Sequence, residues 1–157
     1  MPKRATSEVE APAPFVEEVD TSFLEALLGY NARRAALTVI AVFLERMAPY
    51  GLRPVDFSVM SLIVHNPGIT SRQLCASLGL LPPNLVGLLN ALEKRDLIVR
   101  RPHPRDGRAT GLHATAVGCE LMRKAERTAV ELERDVGTSL TPSELRTLMR
   151  LLRKVYA

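Results

Sequence analysis

The stretch VRRPHPRDGRATG, residues 99–111, gathers the side chains of this 157-residue chain that are best suited to holding an anion: Arg100, Arg101, Arg105 and Arg108, with Asp106 two positions before the last. A guanidinium is planar, permanently charged and weakly hydrated, so it pairs with phosphate oxygens through parallel N–H donors and enters narrow grooves of negative potential more readily than an ammonium. Pro102, Pro104 and Gly107 forbid a helix here, so the arginines must ride on a turn and on the strands beside it. From Lys94 to Arg108 six cations stand against Asp96 and Asp106, whereas the whole chain carries only +4. A patch of charge this local suits a polyanion, and nucleic acid is the commonest one. A merely solvated loop has the same composition and stays open as the alternative.

The rest of the composition narrows the choice. There is no Trp, and none of the four Phe and three Tyr falls in the basic segment. Single-strand binders stack bases on aromatic side chains, so duplex DNA fits better. No Gly-rich phosphate loop, nucleophile elbow or pair of carboxylates in a common cleft is evident, which argues against an enzyme. Cys75 and Cys119 lie far apart, and His65, His103 and His113 do not cluster with them, so neither a metal nor a cofactor is expected. The N-terminal run MPKRATSEVEAPAPF lacks a signal-peptide core and no window approaches a membrane span, so the expectation is a cytoplasmic protein without a membrane partner.

The elements that must position the basic segment follow from periodicity and punctuation. Residues 1–20 are rich in Pro, Ala and acid and read as a mobile tail. From Thr21 apolar residues recur at helical spacing (Phe23, Leu24, Leu27, Leu28, then Ile40, Phe43, Leu44, Met47) until Pro49 and Gly51, predicting one long helix over 21–50 whose apolar face exceeds what a small core can cover. A second helix is predicted over 54–65, with Pro54 in its first turn. Thr70 and Gln73 have capping-box spacing at the head of a short helix that Gly79 closes, and Pro82 and Pro83 mark the start of the next. Two helices joined by this tight turn make a helix-turn-helix.

On a helical wheel the second of these divides into a buried side, Leu85, Leu88, Leu89 and Leu92, and a side shared by Asn84, Gly87, Asn90, Ala91 and Lys94. Runs LIVRR and ATGLHAT on either side of the basic loop read as a two-stranded hairpin. Thr115 caps a further helix, with Gly118 and Gly137 as weak points within and after it, and Thr141, Pro142 and Glu144 open a last one. The predicted fold is mainly α with a small β-hairpin: a winged helix-turn-helix over 51–115, flanked by dimerisation helices over 21–50 and 116–157.

In this order and spacing the segments GITSRQLCASLGL and LLNALEKRDLIVRRPHPRDGRATGLHATAVG resemble the multiple antibiotic resistance regulator (MarR) family of bacterial transcription factors, from about residue 21 to the end. The wing signature, an Asp followed two residues later by an Arg, is present as Asp106, Gly107 and Arg108. The resemblance implies a homodimer that sets two winged-helix lobes on successive major grooves of a pseudo-palindromic operator, most often a repressor released by a small effector. It implies that Arg108 enters the minor groove while Asp106 holds its guanidinium. It also adds Ser71 and Arg72, at the head of the first helix of the motif, and Arg100, Arg105 and Lys94 to the candidate DNA contacts.

The recognition helix departs from the family habit of long polar side chains, because Gly87 and Ala91 occupy its open side. Asn84 and Asn90 suit adenine edges and Val86 a thymine methyl, while the small residues allow a close approach in which DNA shape carries specificity. A non-specific architectural duplex binder without an effector is the alternative. Cys75 fits a position for small buried filler, and Cys119 has no visible partner. For an effector, Tyr30, Asn31, Arg34 and Thr38 share one side of the first helix and His65 ends the second; Arg34 is the preferred anchor for a carboxylate or phosphate. A solvated face explains these residues equally well. The family resemblance suggests an aromatic acid or its coenzyme A thioester.

Overall fold

The structure is a computed structural model. It describes residues 17–103 and 106–156, with the side chains at 103 and 106–109 outside the description. The chain forms two compact units that divide between Ala35 and Ala36.

In the first unit the expected long helix is interrupted. A single turn, α1 (Ser22–Glu25), is followed by a second start at Leu28, and α2 then runs to Met47. Apolar periodicity continues across the break, which is why it is invisible in the pattern. What makes it is Asn31, whose side-chain amide donates to the backbone carbonyls of Glu25 at 2.7 Å and Leu27 at 2.9 Å. Asparagine competes in this way with the regular ladder because its short amide reaches nearby backbone groups.

The second unit takes up α2 from Ala36 and adds a 3₁₀ turn (Ala48–Tyr50), α3 (Pro54–His65), β1 (Ile69–Thr70), α4 (Ser71–Leu78), α5 (Pro82–Lys94), β2 (Ile98–His103), β3 (Asp106–Ala114), α6 (Ala116–Val136) and α7 (Pro142–Tyr156). The predicted starts hold. Thr70 and Gln73 make a reciprocal capping box, Thr115 Oγ1 accepts from the Gly118 amide at 3.0 Å, and Thr141 and Glu144 cap α7 in the same reciprocal way. Gly79 ends α4 with φ of 63°, the left-handed conformation that glycine adopts without cost.

The hairpin is wider than expected. Ile69 and Thr70 form a third strand, giving an antiparallel sheet in the order β1-β3-β2, with Thr70 opposite Gly111 and Arg101 opposite the same glycine from the other side. Two residues are too few for an alternating pattern to register. Gly111 accounts for the fit: a Cβ there would lie 3.0 Å from the Gly68 carbonyl oxygen. Pro102, which has no amide to give, sits beside a register shift near the tip.

The core draws on α2 to α5, β3, α6 and the link between α5 and β2: Met47, Val59, Met60, Ile63, Leu74, the four leucines of α5, Leu97, Leu112 and Met122 are all buried. Phe43 and Phe57 meet edge to face with centroids 5.6 Å apart, an arrangement the ring quadrupoles favour. Gly118, read from sequence as a weak point, is instead required. A Cβ on it would lie 2.0 Å from the Leu97 carbonyl oxygen, so only glycine lets the first turn of α6 sit against the link between α5 and β2.

Candidate nucleic-acid interface

The helix-turn-helix is built by α4 and α5, and each face of α5 is set by its sequence. Leu85, Leu88, Leu89 and Leu92 anchor it in the core, which turns Asn84, Gly87, Asn90, Ala91 and Lys94 outward as the wheel predicts, with Val86 outward beside them. Val86 is 55% exposed and Leu81, in the turn before the helix, 68%. Apolar groups left this open on a polar face are suited to methyl contacts rather than to the fold. Beyond its own turn of helix, Gly87 has nothing within 4 Å of where a Cβ would stand. Ser71 and Arg72 are exposed at the head of α4.

Position along α5 decides which neighbour each open residue meets. Asn90 and Glu93 face the wing: Arg100 on β2 donates from Nε to Glu93 Oε2 at 2.9 Å and from Nη2 to Asn90 Oδ1 at 2.8 Å. Arginine has no acceptor, so the Asn90 amide must turn its oxygen to Arg100, which leaves the NH₂ group as the part that can face a base. The sequence offered Asn90 and Arg100 as separate DNA contacts; the structure makes them one assembly with Glu93, a residue that sequence reasoning left out. Its helical offset from Asn90, i to i+3, was the available signal, but the strand partner was not.

The other basic residues have different standing. Lys94 is exposed at the end of α5. Its neighbour Arg95 is structural: Nη1 and Nη2 donate to the Gly51 and Tyr50 carbonyls, both at 2.8 Å. Arg105 lies outside the described residues, and the pairing proposed for Asp106 and Arg108 lies on side chains that are also outside them; the backbone of both belongs to β3. Asp96 takes φ of 55°, uncommon for a residue with a Cβ, at the turn where α5 hands over to β2. Its carbonyl accepts from Thr115 Oγ1 at 2.6 Å, tying that turn to α6.

Of the residues suggested for an effector, Tyr30, Asn31 and Arg34 belong to the first unit, and Thr38 and His65 to the second. Asn31 uses its amide at the helix break. His65 meets Glu126 of α6, with Nε2 2.9 Å from Oε1, and Ser61 donates to the same oxygen at 3.1 Å. Cys75, expected as buried filler, packs against the core but is only half-buried, and Cys119 is exposed. The described residues contain no group of three or more His, Cys, Asp or Glu placed to hold a metal.

A helix-turn-helix with an open second helix, followed by a basic antiparallel wing, defines a winged-helix nucleic-acid-binding protein. The MarR family signature matches residues 50–109. The structure of the transcriptional repressor CouR bound to a 23-mer DNA duplex superposes with a TM-score of 0.84 at 35% identity, over 89% of this chain and 99% of that one. CouR bound to p-coumaroyl-CoA gives 0.79 at 34% identity, over 88% and 97%. A transcriptional regulatory protein for the hcr operon of Thauera aromatica is 28% identical over 130 residues, 82% of this chain and 78% of its own length. The chain belongs to the MarR family.

Proposed function

We propose that this protein is a homodimeric transcriptional repressor that binds a pseudo-palindromic duplex operator and releases it when an aromatic acid, in its coenzyme A thioester form, binds. The carrying observation is the outward face of α5, joined to the basic wing through the Glu93–Arg100–Asn90 assembly and matched over the length of the chain by a repressor solved on a DNA duplex. In this reading α5 enters the major groove, Asn84, Val86 and Asn90 meet base edges, and Ser71, Arg72 and Lys94 meet phosphates. The wing, with Arg105, Asp106 and Arg108, reaches the adjacent minor groove. Residues 51–115 serve as the DNA-binding part, and the helices on either side hold the dimer.

The thioester class rests on the likeness to CouR in its p-coumaroyl-CoA complex, and Arg34 is the residue we assign as anchor for its carboxylate or phosphate groups. We assign the chain no enzymatic activity and place it in the cytoplasm, where its DNA is; no single helix among the described residues is long and apolar enough to cross a membrane.

Selection from a random duplex pool at near-physiological salt tests the reading. The expected product is an inverted repeat with half-site centres about one helical turn apart, and p-coumaroyl-CoA should release the labelled duplex while free coenzyme A does not. Salt-sensitive retention without an enriched sequence would replace the repressor with an architectural duplex binder, as Gly87 and Ala91 would then explain.

A further inference from the structure

Asn84 and Glu93 are nine residues apart, about two and a half turns, and so lie on opposite sides of α5. The Glu93 side is closed by Arg100. The Asn84 side opens on a cleft of about 510 Å³ lined by Asn84, Gly87 and Leu88 of α5, Leu80 of the preceding turn, and Arg53 and Val55 at the head of α3. Arg53 is the one cation among these residues, and its position is fixed from two directions. Its backbone amide, Nε and Nη2 donate to the Asp56 carboxylate at 3.0, 2.8 and 2.9 Å. Arg95, at the end of α5, holds the carbonyls of Tyr50 and Gly51 just before it.

The two members of the pair are unequally placed. Asp56 is 9% exposed at its side chain, whereas Arg53 is 67% exposed. Burial works against the ionised Asp56 carboxyl, yet the hydrogen bonds and charge of Arg53, with the charge of Arg95 behind them, hold it below the ordinary range. A buried carboxylate therefore grips one edge of the guanidinium and leaves the opposite edge turned to solvent beside the open face of α5.

A helix in a major groove about 12 Å wide has a phosphodiester strand on each flank. The wing accounts for one. We propose that Arg53, oriented by Asp56, is the duplex phosphate contact on the other, with the cleft beside Gly87 admitting that sugar-phosphate strand. This rests on the DNA-binding reading above and deepens it. The contact carries no base information, so it sets affinity and register rather than sequence preference.

The test is fluorescence anisotropy with a labelled duplex carrying the selected repeat and with a scrambled duplex, across a salt series. Arg53→Ala should weaken both duplexes by a similar factor, on the order of tenfold for a dimer that loses two contacts, and lower the salt slope by about one unit per protomer. Arg53→Lys should restore the salt slope but only part of the affinity, since an ammonium lacks the planar fork that pairs Asp56 on one edge and phosphate on the other; because it keeps the charge, it also separates a lost phosphate contact from a buried Asp56 carboxylate left without its charge partner. Wild-type affinity and slope in a folded Arg53→Ala, or an Arg53→Lys slope as low as that of Arg53→Ala, would overturn the assignment while leaving the repressor reading intact. A wild-type protein that retains neither duplex would overturn both.

Discussion

Asn90 shows how a residue's chemistry depends on what holds it. By sequence alone, asparagine on a recognition helix suits adenine, which needs the amide oxygen and nitrogen together. Here the oxygen already accepts from Arg100, so the NH₂ group is the better-presented half and favours an acceptor such as guanine O6 or thymine O4. Arg100→Ala should therefore relax preference at one base pair per half-site and weaken binding, because Glu93 is left without its partner beside a polyanion. Combined with Glu93→Gln, the loss should be smaller than the sum of the single losses by at least about 0.5 kcal/mol in a double-mutant cycle of operator affinity. Additive losses would show that the three residues do not act as a unit.

At the scale of elements, glycines decide how closely the motif is assembled, and two of them call for opposite outcomes from the same substitution. Gly118 lets α6 sit against the Leu97 carbonyl, where a Cβ would come to 2.0 Å. Gly118→Ala should cost about 3 kcal/mol or more in urea unfolding, since neither backbone has room to retreat. Gly87 lies in mid-helix with nothing beyond its own turn near it, so Gly87→Ala should stabilise the fold by about 0.5–1 kcal/mol. If α5 approaches the bases closely, the same alanine should weaken operator binding; stability gained with affinity kept would argue for a looser fit. The sequence marks Gly87 as a small residue on the open side of α5 and Gly118 as a weak point in α6; that Gly118 is required shows only in the structure, because the Leu97 carbonyl that demands it comes from elsewhere in the chain.

At the scale of the molecule, apolar surface is left over. No residue of α7 is buried, and Leu148, Met149, Leu151, Leu152 and Val155 are between 41% and 64% exposed. Within the first unit Phe23 and Leu28 are 76% and 64% exposed. Apolar surface of this extent left open marks an interface, and the dimer in our reading is what covers it. Leu151→Asp combined with Val155→Asp should convert a dimer to monomers or insoluble chain in sedimentation equilibrium and weaken operator binding, since the two lobes then lose their linkage. A soluble dimer with both substitutions would place the interface elsewhere.

Periodicity and punctuation in the sequence were enough for the order of helices, the capped starts at Thr70, Thr115 and Thr141, the buried and open sides of α5, and the basic wing, because each depends on residues a few positions apart. The family followed from the same local marks in series. The break at Asn31 in the first helix is local but leaves the apolar periodicity unchanged; the third strand at Ile69–Thr70, the need for glycine at 118, the tie from Arg100 to Asn90 and Glu93, and the cleft beside Arg53 were decided by tertiary structure. Each of the latter joins groups distant in sequence through a backbone carbonyl, a strand register or a side-chain fork, and such geometry exists only once the core has brought the elements together.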